Sequence, residues 1–207
     1  VLKRVDKLLK SDPDKLETIS KFMDEEERYQ FGVNVLHLLE ILVLYRDRIR
    51  ESVLRKPDGL KIACYYGCTV LRPKDIGVDN PEDPRIMDEI VAATGAEVIH
   101  YPFKSECCGA YQSLLNREAV VDKSSSIIRE AAVRGANVLL TICPLCHYNL
   151  RLALEGMKRP PEITIAYLSE YLAYVMGLDN VVSKDVKEFF DRVLSKEKPL
   201  EGGGFFG

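Results

Sequence analysis

Five of the six cysteines in this 207-residue chain fall into a three-part pattern: Cys68, the adjacent pair Cys107-Cys108, and Cys143-Pro144-Leu145-Cys146. Between Cys68 and the pair lie 38 residues, and between the pair and Cys143 lie 34. Thiolates are ligands for soft and borderline metals, so several of them brought together can hold zinc or an iron–sulfur cluster. Neighbouring residues on an extended strand point to opposite faces, so vicinal thiols serve one centre only where the backbone turns sharply. Gly109 follows the pair directly, and a residue without Cβ takes positive φ and lets the chain pass close to a bulky ligand. Pro144 stands where a helix would begin, and the positive end of that helix lowers the thiol pKa at Cys143 and Cys146. Structural zinc usually takes two C-x-x-C knuckles, and this chain has one. Vicinal cysteines suit two irons of a larger cluster better than one tetrahedral ion. The pattern reads as a metal-cluster site, with zinc and a set of buried structural thiols as the alternatives. Cys64, four residues before Cys68, is expected to pack in the core.

Helical and strand periods alternate along the chain. Leu2, Val5, Leu8 and Leu9 have helical spacing over residues 1–10, and Asp12-Pro13 opens a second helix to about Met23. A short strand is expected over 32–36, a helix from His37 to about Leu54, and a turn at Pro57-Asp58-Gly59. Leu60 to Tyr65 reads as a strand running into Cys68. Asp83-Pro84 caps a helix ending at Gly95, and Glu97 to Pro102 is a strand leading towards Cys107. A long helix spans Asn116 to Arg134, and the strand Asn137 to Ile142 delivers Cys143. The helix opened by Pro144 reaches Gly156. A strand at Ile163–Ala166 follows, then helices from about Ser169 to Gly177 and from Ser183 to Leu194; residues 201–207 read as a loose tail. This order predicts an α/β fold, a mainly parallel sheet flanked by helices. Each cysteine element follows a strand, so all three can meet outside the carboxyl edge of the sheet, where such folds bind ligands.

Residues 33–42 echo residues 163–172 in pattern, with Leu38/Leu168, Glu40/Glu170 and Leu42/Leu172 identical. The expected organisation is a tail of one repeat (helix, strand, helix) over 1–56 and a complete cysteine-rich repeat over 57–200. On that reading the natural protein extends upstream of Val1 by roughly one more small module, ~100 residues.

Composition narrows the class. The 29 basic and 32 acidic residues leave a net charge of −3 with no basic block, which gives no footprint for nucleic acid. No apolar run approaches the ~20 residues of a membrane span, and Val33 to Leu44 is interrupted by Asn34, His37 and Glu40. No secretory signal opens the chain, so six cysteines argue for metal or redox chemistry before disulfides, and the expected compartment is the cytoplasm. His147 is a candidate hydrogen-bond donor to a cluster sulfide or a substrate, although such a residue more often caps or packs. Arg72 and Lys104 stand near the motifs without ranking above the other basic residues. Tyr65, Tyr66, Tyr111 and Tyr148 crowd the cysteines and are expected to exclude water. His37 and His100 read as core or surface residues, and Asp24 to Arg28 as a solvated turn.

The cysteine pattern, with Ala63-Cys64-Tyr65-Tyr66-Gly67-Cys68, Leu71-Arg72-Pro73 and Cys107-Cys108-Gly109-Ala110-Tyr111-Gln112, resembles the CCG domain of the heterodisulfide reductase B-type family. The family carries two such domains in tandem, and this chain resembles the second plus the region connecting it to the first. What the resemblance implies is a non-cubane 4Fe–4S cluster held by Cys68, Cys107, Cys108, Cys143 and Cys146. It also implies reductive cleavage of a small-molecule disulfide, with electrons from an iron–sulfur partner subunit and a flavin-containing subunit in the same complex. Related CCG proteins serve in lactate, glycolate and succinate oxidation and in sulfur oxidation, so an electron-relay or assembly module is the second expectation. The first cysteine set of the tandem is absent here.

Overall fold

The computed structural model describes residues 1–23 and 26–196. The tail expected over 201–207, and Asp24 and its neighbour in the expected turn, lie outside those residues. Four strands form one parallel sheet in the order β2-β1-β3-β4: β1 (Lys61–Tyr65), β2 (Glu97–Val98), β3 (Val138–Thr141) and β4 (Thr164–Tyr167). Every residue of β3 and all but Lys61 of β1 are buried, as expected for central parallel strands covered on both faces. The mainly parallel α/β architecture read from the sequence is therefore observed.

The strand period of two sorts the core into two layers. Ile62, Cys64, Val138, Leu140 and Ala166 face one side, under α3 (Leu38–Leu44), α4 (Arg46–Glu51), α5 (Ile86–Ala93), α8 (Leu168–Val175) and α9 (Lys184–Lys196). Ala63, Tyr65, Leu139 and Ile165 face the other, under α6 (Arg117–Val133) and α7 (Pro144–Gly156). The chain leaves β1 for α5 on the first face and leaves the neighbouring β3 for α7 on the second. That divergence opens a crevice at the carboxyl ends of β1 and β3, the point where strand order reverses.

Local chemistry explains most boundaries. Asp12 accepts the Lys15 N–H at 3.1 Å to start α2 (Pro13–Phe22), which follows α1 (Leu2–Ser11), and Asn116 accepts the Ala119 N–H at 3.1 Å to start α6. Gly135, at φ 92°, ends α6 as read from the sequence.

Four expectations need correction. Residues 32–36 form no strand, because no other strand lies beside them among the described residues to complete a ladder. The helix expected from His37 to Leu54 is two helices, broken at Tyr45 (φ −103°, ψ 20°) and finished at Glu51; the N–H groups of Leu54 and Arg55 go instead to the Val175 carbonyl. Asp83 does not cap α5. Asp79 does, accepting the N–H groups of Arg85 (2.6 Å) and Ile86 (2.7 Å), while Asp83 pairs with Lys104 and Arg85. The strand after Gly95 is also shorter than read, since only Glu97 and Val98 pair with β1 and the chain then turns towards the cysteines.

The echo between 33–42 and 163–172 survives in one device. Glu40 accepts the His37 N–H at 2.7 Å, and Glu170 accepts the Tyr167 N–H at 2.9 Å, so the same acidic residue closes the same helix start twice.

Candidate metal centre

Cys68 follows β1 and Cys143 follows β3, so the two central strands deliver one thiol each to the crevice. Between β2 and α6 the chain makes two short 3-10 turns, Pro102–Ser105 and Ala110–Gln112, and the vicinal pair lies between them. Gly109 takes φ +83°, as the sequence required, and this reversal aims the pair at the other two elements. Tyr65 clamps the approach by donating its hydroxyl to the Glu106 carbonyl at 2.7 Å, and the Ser124 hydroxyl donates to the Cys108 carbonyl at 3.3 Å. The Tyr66 N–H reaches back to the Lys104 carbonyl at 2.8 Å.

All five thiols that the sequence singled out come together. Cys68 Sγ and Cys107 Sγ are 3.7 Å apart, and Cys108 Sγ and Cys146 Sγ are 3.6 Å apart. Cys146 also contacts Cys143, linking the second pair to the fifth sulfur. Cys64 stands apart: it is buried in the first layer, on the sheet face away from Cys108 and Cys146. Its thiol is pushed well up by burial, which suits a packing residue.

Electrostatics divide the sulfurs. The contact with Cys146, the N–H groups of Cys146 and Leu145 at the start of α7, and the Thr69 hydroxyl bring Cys143 down to about 5. Contacts with Cys146, the Asn149 amide and the Ala110 N–H bring Cys108 down to about 6. Burial and the neighbouring Cys107 push Cys68 up to about 11, and the contacts with Cys108 and Cys143 push Cys146 up. Metal binding would displace the protons those two thiols retain.

The donor set fits a multi-metal centre. Two thiolates on one tetrahedral ion, each ~2.3 Å away, lie about 3.8 Å apart. The two observed pairs match that spacing, and five thiols exceed the four that one tetrahedral ion takes. Room has been left as well, since a Cβ on Gly67 (φ +70°) would sit 2.9 Å from Cys146 Sγ. Besides the backbone N–H groups on Cys143 and Cys108, Gly109 N faces Cys107 Sγ at 3.3 Å and Asn149 Nδ2 faces Cys108 Sγ at 3.5 Å.

Other candidates fall outside the centre. His147 stacks on Tyr167 (centroids 3.9 Å, planes 10° apart), with Nδ1 3.5 Å from the Thr141 hydroxyl, and packs as the plainer reading had it. Lys104 is buried, donates to the Pro84 carbonyl at 2.6 Å, and pairs with Asp83 and Asp88; it holds a loop and is not open to an anionic ligand. Arg72 donates to the carbonyls of Ser105 and Pro81. Of the four tyrosines expected to exclude water, Tyr65 and Tyr66 are buried while Tyr111 and Tyr148 are exposed; with Leu114, Leu115 and Leu145 they give the rim an apolar surface. Sequence reading missed Gly67, Thr69 and Asn149. Asn149 was findable, since it lies three residues after Cys146 on the same helix face.

A family model for the cysteine-rich domain, CCG, matches residues 62–151, which contain all five cysteines. The chain is 30% identical over 155 residues to the 8-methylmenaquinol:fumarate reductase membrane anchor subunit of Wolinella succinogenes, covering 72% of this chain and 55% of that protein. It is 31% identical over 180 residues to the B-type subunit of the ferredoxin/F(420)H(2)-dependent CoB-CoM heterodisulfide reductase of Methanosarcina acetivorans, covering 82% and 59%. Against a protein of Archaeoglobus profundus described as similar to the heterodisulfide reductase B-type subunit, the identity is 29% over 169 residues, covering 74% and 55%. The chain thus spans little more than half the length of these relatives. Among the described residues no helix is long and apolar enough to cross a membrane. Residues 62–151 thus match the CCG cysteine-rich domain, within a sequence similar over most of its length to the B-type subunits of heterodisulfide reductases.

Proposed function

We propose that this chain is the cluster-bearing part of a disulfide-reducing redox subunit. Cys68, Cys107, Cys108, Cys143 and Cys146 would hold a non-cubane 4Fe–4S cluster, which supplies electrons one at a time. The observation that carries this reading is the meeting of five thiols, in two pairs at metal-sharing distance, at the carboxyl edge of the sheet. The protein's own part is to keep the sulfurs in place through Gly67 and Gly109, to donate hydrogen bonds from Gly109 N and Asn149, and to exclude water with Tyr65. Its substrate would be a small-molecule disulfide. The partners would be an iron–sulfur electron-donor subunit and a flavin-containing subunit, docked in the cytoplasm.

Reducing a disulfide to two thiols takes two electrons and two protons. A single such centre normally passes one electron, so this chain alone is expected to hold its cluster yet not turn over a disulfide. The test is anaerobic disulfide reduction by a reduced low-potential dye, with this chain compared at equal iron content with a chain that carries a second such cysteine set. Turnover by the two-centre chain alone is expected. Equal rates would remove the need for a second centre, and no turnover by a fully loaded two-centre chain would remove the disulfide-reducing reading.

A second reading, a relay or assembly module in a lactate, glycolate or succinate oxidoreductase, is favoured by the similarity to a fumarate reductase subunit. Co-purification with a flavoprotein dehydrogenase, with no disulfide turnover, would select it.

A further inference from the structure

The sulfur contacts at the centre join different elements of the fold. Cys68 Sγ, after β1, lies 3.7 Å from Cys107 Sγ, and Cys108 Sγ lies 3.6 Å from Cys146 Sγ on α7. A disulfide needs about 2.05 Å, so each sulfur must swing by roughly 0.8 Å, the reach of a χ1 rotation on the order of 30°. The vicinal pair is divided between the two contacts, so its sulfurs are directed to other elements and not to each other. The chain's own bonds tether the segment that carries the pair. Tyr65 donates to the Glu106 carbonyl at 2.7 Å, Ser124 to the Cys108 carbonyl at 3.3 Å, and the Tyr66 N–H to the Lys104 carbonyl at 2.8 Å.

Five thiols make two pairs and leave one over. Cys146 touches both Cys108 and Cys143, so either could be its partner. Cys108 and Cys146 are buried, whereas Cys143 is half-buried at the start of α7. A bond between Cys143 and Cys146 would strand Cys108 where no small molecule reaches it. A bond between Cys108 and Cys146 instead leaves over the one thiol of the three that a small disulfide can still attack. That arrangement takes up the most oxidising equivalents, so excess oxidant selects it. Cys64, on the other face of the sheet, is out of reach of all five.

We propose that the chain, once stripped of metal, is oxidised by a small-molecule disulfide to a folded form with two cross-element bonds, Cys68–Cys107 and Cys108–Cys146, and one small thiol on Cys143, which takes up no metal until it is reduced. For each cross-link, two cysteine thiols become one S–S bond while one small disulfide becomes two thiols. At Cys143 one small disulfide is split, half of it bound to the sulfur and half released as thiol. The modification requires no particular cluster and no turnover, so it stands whether or not the chain serves disulfide reduction. The cross-links close loops of 40 and 39 residues, against four for a bond within Cys143–Cys146. Long loops restrain the unfolded chain far more than a four-residue loop does, so this oxidation stabilises the fold.

The test treats this chain, stripped of metal by a chelator and fully reduced, with excess oxidised glutathione. Linkages are read by peptide mass mapping, stability by thermal unfolding, and metal uptake by the sulfur-to-metal charge-transfer absorbance of added Co2+. The expected product carries both cross-element bonds, one glutathione on Cys143 and a free Cys64. Its Tm should exceed that of the reduced metal-free chain by at least about 5 °C. Co2+ should bind the reduced chain and not the oxidised one, and reduction by a phosphine should restore binding. Cys143→Ser should keep both cross-links and lose the glutathione. A main product linked Cys143–Cys146 or Cys107–Cys108, scrambled linkages, an unchanged or lowered Tm, or full Co2+ binding by the oxidised chain would each overturn the proposal.

Discussion

Replacing Gly67 with alanine separates backbone strain from crowding of the centre. Gly67 lies at φ +70°, where a residue with a Cβ costs ~1–2 kcal/mol. The new Cβ would also stand 2.9 Å from Cys146 Sγ, against ordinary contact at 3.4–4 Å, so the sulfur must yield by at least about 0.5 Å. Metal–ligand distances tolerate only ~0.2 Å. Gly95 provides the control, since it has φ +90° and nothing within 4 Å of its would-be Cβ. Gly95→Ala should therefore carry the backbone cost alone. In a domain of this size ~1–2 kcal/mol lowers Tm by roughly 2–8 °C. Both variants, prepared anaerobically, are followed by thermal unfolding and by iron and sulfide per chain. The expected result is a similar loss of Tm in both and a loss of metal in Gly67→Ala only. Full metal content in Gly67→Ala, or equal metal loss in Gly95→Ala, would refute the argument that Gly67 exists to admit the sulfur.

Cys64→Ala should retain the parent's iron content at a stability cost on the order of 1 kcal/mol, whereas Cys107→Ser should lose iron; metal analysis beside denaturant unfolding decides it. Asn149→Ala removes the amide donor to Cys108 Sγ and should shift the reduction potential of the centre to more negative values, with ~10–100-fold weaker metal binding, read by redox titration and chelator competition. Lys104 first and Arg85 second hold Asp83 down to about 2, below its usual 3.8. A carboxyl lowered on folding adds stability above its unfolded pKa and loses it as pH falls through the folded one. Unfolding midpoints should therefore drop between pH ~4 and ~2, and Asp83→Asn should make that drop shallower; an unchanged slope would show that the Lys104 contact carries no linkage.

The chemistry was legible because its residue types are rare and its turn residues unambiguous. A vicinal cysteine pair followed by glycine has few other uses, and Pro144 and Gly156 bounded α7 as read. Cys64 was separable by parity alone, since on β1 it shares a face with Ile62 and not with Ala63 and Tyr65. What failed depends on neighbours that a linear reading does not contain. Residues 32–36 have strand composition but no ladder partner, so their backbone finds no sheet. Asp79, six residues before Arg85, caps α5 through a loop whose path no short motif encodes. Gly67 drew no reading of its own from the sequence, and only the approach of Cys146 from 79 residues away shows that its missing Cβ serves the centre.

The central claim is that these five cysteines, and not the sixth, hold an iron–sulfur cluster. The most direct test is iron, sulfide and zinc per chain in this protein prepared anaerobically, with EPR spectra, repeated for six single Cys→Ser variants. The account predicts iron and sulfide in equal amounts with negligible zinc, and a change in spectrum and a loss of iron in the variants of Cys68, Cys107, Cys108, Cys143 and Cys146 but not of Cys64. Stoichiometric zinc without sulfide, or an iron loss in the Cys64 variant matching that at Cys107, would contradict it.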